Sequence, residues 1–234
     1  MSDSTFALIL AAAGKSSRFS QRGSYEPTAK KTFMHLDGKP VWLRSIEKFL
    51  RRDDVEQVII VAAPEDIDWF RKYYLNEIND LLLLVVAGGE TRMDSIRNGL
   101  IAVSSKADFV AVHDAARPCV TAQEIDDVFS AAKIHGAALL ASPVTGTIKK
   151  VVDGFIEATY PREYFWEAQT PQVFRRELLF EAYKQRITDI PTDDAQLVER
   201  LGVPICVVPS DRGNIKITSQ SDLVLAKYLV EMGR

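Results

Sequence analysis

Between positions 12 and 31 the chain carries five cations, Lys15, Arg18, Arg22, Lys30 and Lys31, and a single acid, Glu26. The surrounding stretch, Phe6 to Lys31, reads FALILAAAGKSSRFSQRGSYEPTAKK. Small residues from Ala12 to Gly14 let a backbone approach a ligand closely, and Gly14 is free to take positive φ. A strand that empties into a small-residue, cationic loop is a candidate phosphate or nucleotide cradle. An ordinary strand-to-helix turn with solvated lysines fits the same letters. Neither the G-x-x-x-x-G-K-[ST] loop nor the G-x-G-x-x-G fingerprint is present.

Two further loops have chemical potential. Ala87-Gly88-Gly89-Glu90-Thr91-Arg92 precedes a helix carrying Ser95. Asp114 directly follows an apolar run, where a carboxylate suits Mg²⁺ or a ribose hydroxyl beside bound phosphates. An N-cap or an ion pair to Arg117 accounts for Asp114 equally well. His113 has no partner at metal-ligand spacing and reads as a core hydrogen-bonding group. No Ser-His-Asp order, catalytic carboxylate pair or nucleophilic cysteine emerges. Cations around small-residue loops fit phosphoryl or nucleotidyl transfer, which needs positioning and charge neutralisation more than a protein nucleophile.

The elements that must hold these loops alternate. Phe6 to Leu10 is apolar throughout and suits a strand buried on both faces. Buried strands are predicted at Val55–Ala63, Leu81–Val86, Ala107–Val112 and Gly136–Val144. Helices are predicted after Pro40, from Pro64, after Arg92 and from Thr121, where Glu124 gives capping-box spacing. Ile148–Tyr160 reads as a hairpin about Asp153-Gly154, with Val152 facing Phe155, Val151 facing Ile156 and Lys150 facing Glu157. Helices at Arg175–Ile187 and Asp194–Leu201, strands at Pro204–Val208 and Ile215–Thr218, and a final helix complete the chain. This is an α/β pattern with a mostly parallel sheet, and ligands bind such sheets outside the carboxyl ends of the strands. The loops at 12–18, 87–92 and 113–118 are therefore expected on one edge, within a single domain spanning 1–234.

Composition bounds the partners. A net charge of −3 over 234 residues gives no global basic surface for nucleic acid, so the five clustered cations stand out against a mildly acidic body. Cys119 and Cys206 have no metal spacing and read as reduced thiols. The N-terminus lacks a basic leader and its apolar run is too short to span a bilayer, so a cytoplasmic protein without membrane contact is expected.

Several segments recur together in one known family: LILAAAGKSSRF, Lys31-Thr32-Phe33, LDGKPV, GGETRMDSI, HDAARP, PVTGTIK, Arg162 through AQTPQ, and Asn214 through Thr218. In this order they resemble 2-C-methyl-D-erythritol 4-phosphate cytidylyltransferases over nearly the whole chain. The resemblance implies a Rossmann-like nucleotidyltransferase fold, a twisted sheet flanked by helices with a protruding β-hairpin arm at about 147–162, and a homodimer. It implies Mg²⁺-dependent transfer of CMP from CTP to a methylerythritol phosphate in non-mevalonate isoprenoid synthesis. Ala12, Ala13, Gly14, Gly89, Glu90, Ser95, Asp114 and Ala115 then fall on CTP-binding positions, with Asp114 the candidate metal ligand. Arg18 and Lys31 fall on catalytic positions that stabilise the pentacoordinate α-phosphate. Thr147, Arg162, Thr170 and Lys216 fall on positions that hold the acceptor, Arg162 and Lys216 also counting as catalytic. Arg117 belongs to the same signature and supports Asp114.

The chain departs from the family pattern in several places. Ser16 stands at the usual second glycine, Glu90 where Asp is common, and Gly146 where an acid is common beside Thr147. Ala29-Lys30-Lys31-Thr32 replaces Pro-Lys-Gln, leaving the catalytic lysine open by one. Aligning Phe33 and Leu36-Asp37-Gly38 selects Lys31. The segment from Arg18 to Lys31 is also longer than usual. Ribitol-5-phosphate cytidylyltransferase shares the implied fold and reaction, but PVTGTIK and the Arg162-to-Gln172 context favour methylerythritol phosphate. A nicotinamide-dependent oxidoreductase is disfavoured by the missing glycine fingerprint, and a nucleotide-binding module without catalysis is the non-enzymatic alternative.

Overall fold

The computed structural model describes residues 4–14, 30–81, 83–185 and 190–234. The first strand, β1 (Phe6–Ala12), is followed by a two-residue ribbon, β2 (His35–Leu36) and β3 (Lys39–Pro40), and by α1 (Val41–Ile46). Next come β4 (Val55–Ala62), a 3₁₀ turn at Pro64–Asp66, α2 (Ile67–Tyr73), α3 (Leu75–Asp80) and β5 (Leu84–Ala87). The middle of the chain forms α4 (Arg92–Ile101), β6 (Phe109–Asp114), α5 (Ala122–His135) and β7 (Ala137–Pro143). A ribbon of β8 (Ile148–Val152) and β9 (Phe155–Tyr160) precedes β10 (Trp166–Arg175), α6 (Arg176–Lys184), α7 (Asp194–Glu199), β11 (Cys206–Pro209) and α8 (Gln220–Glu231).

Seven strands form one sheet in the order β11-β7-β10-β6-β1-β4-β5. β1 pairs in parallel with both β4 and β6, β4 with β5 and β7 with β11, while β10 runs antiparallel between β6 and β7. Strand alternation divides the core into two layers. Phe6, Leu8 and Leu10 of β1 face Trp42, Phe70, Ile125 and Phe129 on one side. Ala7 and Ile9 face Ile96, Leu100, Leu179 and Leu197 on the other. A helix layer on each face is what an apolar strand such as β1 requires. The chain leaves β1 toward β4 and β5 on one flank and returns to β6 on the other, so the carboxyl end of β1 is a topological switch point.

The predicted elements hold with instructive exceptions. The helix expected from Pro64 is split at Tyr74 into α2 and α3. Of the helix predicted at Arg175–Ile187, α6 runs to Lys184, and Ile187 lies outside the described residues. Ile215–Thr218 is not a strand. The segment is tied to its neighbours instead, with Ile217 N bonding Ala116 O and the preceding Asn214 O accepting from Arg117 Nη1. β10, ten residues long and central, was not among the predicted strands, and it carries Pro171, a residue that central strands rarely admit. The ladder to β7 breaks between Ala168 and Gln172, and Pro171 sits in that break.

The β8–β9 ribbon turns at Asp153 (φ 51°) and Gly154 (φ 85°), both left-handed as a tight two-residue hairpin requires. Val152 faces Phe155 and Val151 faces Ile156 as predicted, but a bulge next to Lys150 sets it opposite Ala158 instead of Glu157. The Lys150 ammonium still reaches Glu157, 2.8 Å away. Among the described residues no helix is long and apolar enough to cross a membrane.

Candidate active site

The carboxyl ends of β1, β4, β5 and β6 come level. Ala12 pairs with Ala62, Ala62 with Ala87, and Ala11 with Asp114. A cavity of about 430 Å³ opens beyond this row. Ala13 and Gly14 line it from β1, and Gly89, Glu90 and Ser95 line it from the turn into α4. Lys31, Asp114 and Lys216 complete the set of predicted residues in its wall. Three loops far apart in sequence therefore converge as the α/β pattern requires.

The glycines of the second loop are fixed by crowding. A Cβ on Gly88 would sit 2.7 Å from the Ala13 Cβ and 2.8 Å from Ser95 Oγ, so a side chain there would push the two cleft walls apart. Gly14 is different: it takes no positive φ, and among the described residues nothing lies within 4 Å of where its Cβ would be. Its place in the cavity wall does not depend on a left-handed backbone. Ser95 is buried and spends its hydroxyl on the loop, accepting from Gly89 N at 3.1 Å and donating to Thr91 O at 2.9 Å. Thr91 and Asp94 form a capping box that starts α4.

Asp114 ends β6 with its side chain in a cationic surround. Lys216 Nζ is 2.7 Å from Oδ2 and Arg117 Nε 3.7 Å from the same oxygen, so Oδ1 is in neither pair. Burial alone would raise its pKa, but Lys216, Arg92 and Arg117 outweigh burial and hold the carboxyl well below the usual carboxylate range. Arg117 is itself buried and donates to Asn214 O at 2.7 Å, tying β6 to the segment that carries Lys216. Asn214 in turn donates to Thr170 O at 3.0 Å.

His113 is the core hydrogen-bonding group that its sequence context indicated. Nε2 lies 3.2 Å from the Arg117 carbonyl, which only accepts, so Nε2 carries the proton. Nδ1 then accepts from the Thr170 hydroxyl at 3.1 Å, and that hydroxyl accepts from Asp114 N–H at 3.0 Å. Burial pushes the imidazole down to about 4, keeping it neutral. Thr170 is thus a buried strut under Asp114 and does not line the cavity.

Other predicted residues fall elsewhere. Ala12 and Ala115 are buried in the floor. Thr147 and Arg162 are on the β8–β9 side and do not line the cavity; the Arg162 guanidinium is exposed and bonds Thr145 O at 2.5 Å. Arg18, with Lys15 and Arg22, lies outside the described residues. The two adjacent lysines separate cleanly. Lys31 lines the cavity, whereas Lys30 is buried in an ion pair with Asp66, with Glu65 at 3.6 Å. Thr32, beside Lys31, is buried with its hydroxyl unpaired among the described residues.

Arg92 also lines the cavity and was missed. It is the first residue of α4, where a positive charge opposes the helix dipole. An arginine at that position, shortly after a glycine pair, was the available signal.

The family model for 2-C-methyl-D-erythritol 4-phosphate cytidylyltransferase matches residues 6–232. The protein of that name from Solibacter usitatus is 40% identical over 228 residues, 94% of this chain and 93% of its own. The crystal structure of the Francisella tularensis protein of that name superposes with a TM-score of 0.79 at 29% identity, covering 97% of this chain and 100% of that one. The Thermus thermophilus structure gives 0.77 at 30% identity, covering 96% and 98%. The mostly parallel sheet with its flanking helices is thus an α/β nucleotidyltransferase fold.

Proposed function

The chain belongs to the 2-C-methyl-D-erythritol 4-phosphate cytidylyltransferase family, and we propose that the cleft between β1, α4 and β6 is where it carries out that family's reaction. CMP passes from CTP to 2-C-methyl-D-erythritol 4-phosphate, giving 4-diphosphocytidyl-2-C-methyl-D-erythritol and pyrophosphate, in isoprenoid precursor synthesis. An acceptor phosphate oxygen attacks the α-phosphorus, and the bond to the β-phosphate oxygen breaks. The observation carrying this reading is the convergence of Gly14, Gly89, Lys31, Asp114 and Lys216 on one cavity at the switch point.

In this reading the small residues from Ala12 to Gly14, with Gly89, Glu90, Ser95 and Ala115, seat the nucleoside. Lys31 and Arg18 meet the negative charge that spreads over the α-phosphate oxygens in the transition state. Lys216 and Arg162 hold the acceptor phosphate, with Thr147 beside it, while Thr170 beneath Asp114 and Arg117 behind it fix that carboxylate. Asp114 fits a Mg²⁺ ligand. It is ionised, Oδ1 is outside both ion pairs, and Mg²⁺ takes one or two carboxylates together with substrate phosphates. The ion, when bound, would offset phosphate charge there.

Arg162 and Thr147 belong to an arm that does not reach the chain's own cavity. Val151 and Ile156 lie on one face of the ribbon, Val152 and Phe155 on the other, and all four are exposed. A lone two-stranded ribbon is marginal in water. A second copy of the chain covering it, and receiving its arginine, supports a homodimer with shared sites built from one domain, 1–234, per copy. Both cysteines are free thiols, which a reducing cytoplasm preserves, and that setting is part of this reading.

Pyrophosphate release tests the reading. Turnover is expected with CTP and 2-C-methyl-D-erythritol 4-phosphate, and little with ribitol 5-phosphate. CTP is expected to be strongly preferred over ATP and GTP because close-packed Ala13, Gly88 and Ser95 leave little room for a purine. Comparable turnover with ribitol 5-phosphate or GTP would overturn it.

A further inference from the structure

Arg92 is not accounted for by the reaction as assigned. Arg92 lines the cavity, and its side chain is 35% exposed. Behind it lies Asp194, fully buried, with Oδ2 2.7 Å from Arg92 Nη2. The other oxygen, Oδ1, accepts from the Tyr183 hydroxyl at 2.5 Å. Asp194 is the first residue of α7, and the turn before it is anchored to β10 by Gln172. The Gln172 amide donates to Asp193 Oδ2 at 2.8 Å and accepts from Ala195 N at 3.0 Å. A continuous set of polar contacts therefore runs from the middle of the sheet, through α7, to the cleft wall.

As a stabilising device this arrangement is poor. Arg92 opposes the dipole of α4, and Asp194 is a carboxylate taken wholly out of water, where desolvation offsets much of the ion-pair attraction. Burial would lower the Arg92 pKa, but Asp194 and Asp114 together raise it, so the residue remains a cation facing the cleft. A cation held by its backbone and by Nη2, on the wall of a cavity that Lys31 and Lys216 also line, is pre-organised for an anionic ligand.

We propose that Arg92 contacts the bound nucleotide and that Asp194, seated by Tyr183 and Gln172, is the positioning residue that holds the guanidinium in place. This rests on the reading of the cleft as the CTP site.

Steady-state kinetics with CTP varied at saturating acceptor, and calorimetric titration of the full chain with Mg²⁺ and CTP alone, test it. Arg92→Met and Asp194→Asn should each raise the KM and Kd for CTP by about tenfold, as loss of a charge-assisted hydrogen bond predicts. The acceptor KM should stay near the wild-type value. The double variant should be no worse than either single one, because the two residues act as a unit. A folded Arg92→Met or Asp194→Asn protein with wild-type CTP affinity would overturn the proposal, as would losses that multiply in the double variant. A purely structural role would lower Tm and leave CTP affinity alone. If Asp194→Asn fails to fold, Tyr183→Phe is read instead: CTP affinity should fall a few-fold, and an unchanged value overturns the positioning role. Wild-type protein that binds CTP but releases no pyrophosphate with any acceptor would refute the proposed reaction while leaving the Arg92 titrations decisive.

Discussion

At the end of β6, Asp114 has Lys216 and Arg117 on one side and His113, Thr170 and Asn214 beneath it, all buried or half-buried in one chain. At the foot of the arm, Arg162 bonds Thr145 O and stands in solvent. Both regions would present charge to phosphate groups, yet only the first is pre-organised by its own chain. The cleft wall is held by groups whose alternative is an unpaired buried charge, which fixes their geometry. The arm has no such constraint, and its apolar side chains gain by docking on another surface. In the proposed dimer the nucleotide half of the site is thus complete in one copy, and the acceptor half is finished by a second.

The largest effect that can break this contrast comes from mixing. Lys31→Ala should lower kcat by about a thousandfold with a smaller change in KM for CTP, the scale of losing a transition-state cation in phosphoryl transfer. Arg162→Ala homodimers should also be nearly inactive. Mixed dimers of the two variants contain one doubly damaged site and one intact site if the arm crosses, so activity should return after subunit exchange. Absence of recovery, or a monomer by sedimentation, would put both residues in one chain's site. Lys30→Ala is a different experiment. It removes the ammonium paired with the buried Asp66 carboxylate and should cost about 3–5 kcal/mol of stability in denaturant melts, while the protein that remains folded keeps its kcat.

A middle-sized effect probes the cleft side alone. His113 sits near 4 when folded and near 6.5 when unfolded, so the unfolded chain binds more protons between those values. Its contribution, on the order of 3 kcal/mol, is fully present above about pH 6.5 and is lost as pH falls toward 4. Chemical melts from pH 7 to 4 should show this loss, and His113→Gln should flatten it. A wild-type curve with no slope in that window would mean that the imidazole does not stay neutral under Asp114.

The same contrast explains what could be read from the sequence. The strands β1, β5 and β6 are rich in apolar residues, and their carboxyl ends locate Gly14, Gly89 and Asp114 without any structure. β10 was hidden because its chemistry is mixed: Gln169, Thr170 and Gln172 are polar yet buried, and each is spent on a partner distant in sequence. Lys216 was placed on a strand because alternating isoleucines imitate one, whereas contacts to Ala116 and Arg117 hold that segment in place of a ladder. Arg92 was passed over because its partner, Asp194, is 102 residues away and no local spacing links them. Pattern reading finds positions set by periodicity; it misses those set by pairing between loops.

The smallest expected effect compares two lysine–carboxylate pairs of nearly equal length. Lys216 lies 2.7 Å from Asp114, which is 10% exposed; Lys150 lies 2.8 Å from Glu157, and both are 51% exposed. Distance does not separate them, but solvent does. Water and salt screen the arm pair, and ordering two long side chains offsets what attraction remains, so such pairs contribute at most about 0.5–1 kcal/mol. The bulge beside Lys150 weakens the case further, since the two residues are not directly opposed in the ladder. Lys150→Gln should therefore leave Tm nearly unchanged and kcat at the wild-type value, and added salt should not alter that result. Lys216→Gln, by contrast, removes the nearest partner of a buried carboxylate and should lower both stability and turnover. If Lys150→Gln proves as costly as Lys216→Gln, the Lys150 edge of the ribbon is desolvated in the working molecule. The face that the second copy covers would then include Lys150 and Glu157, and equal sedimentation of wild type and variant would rule that out.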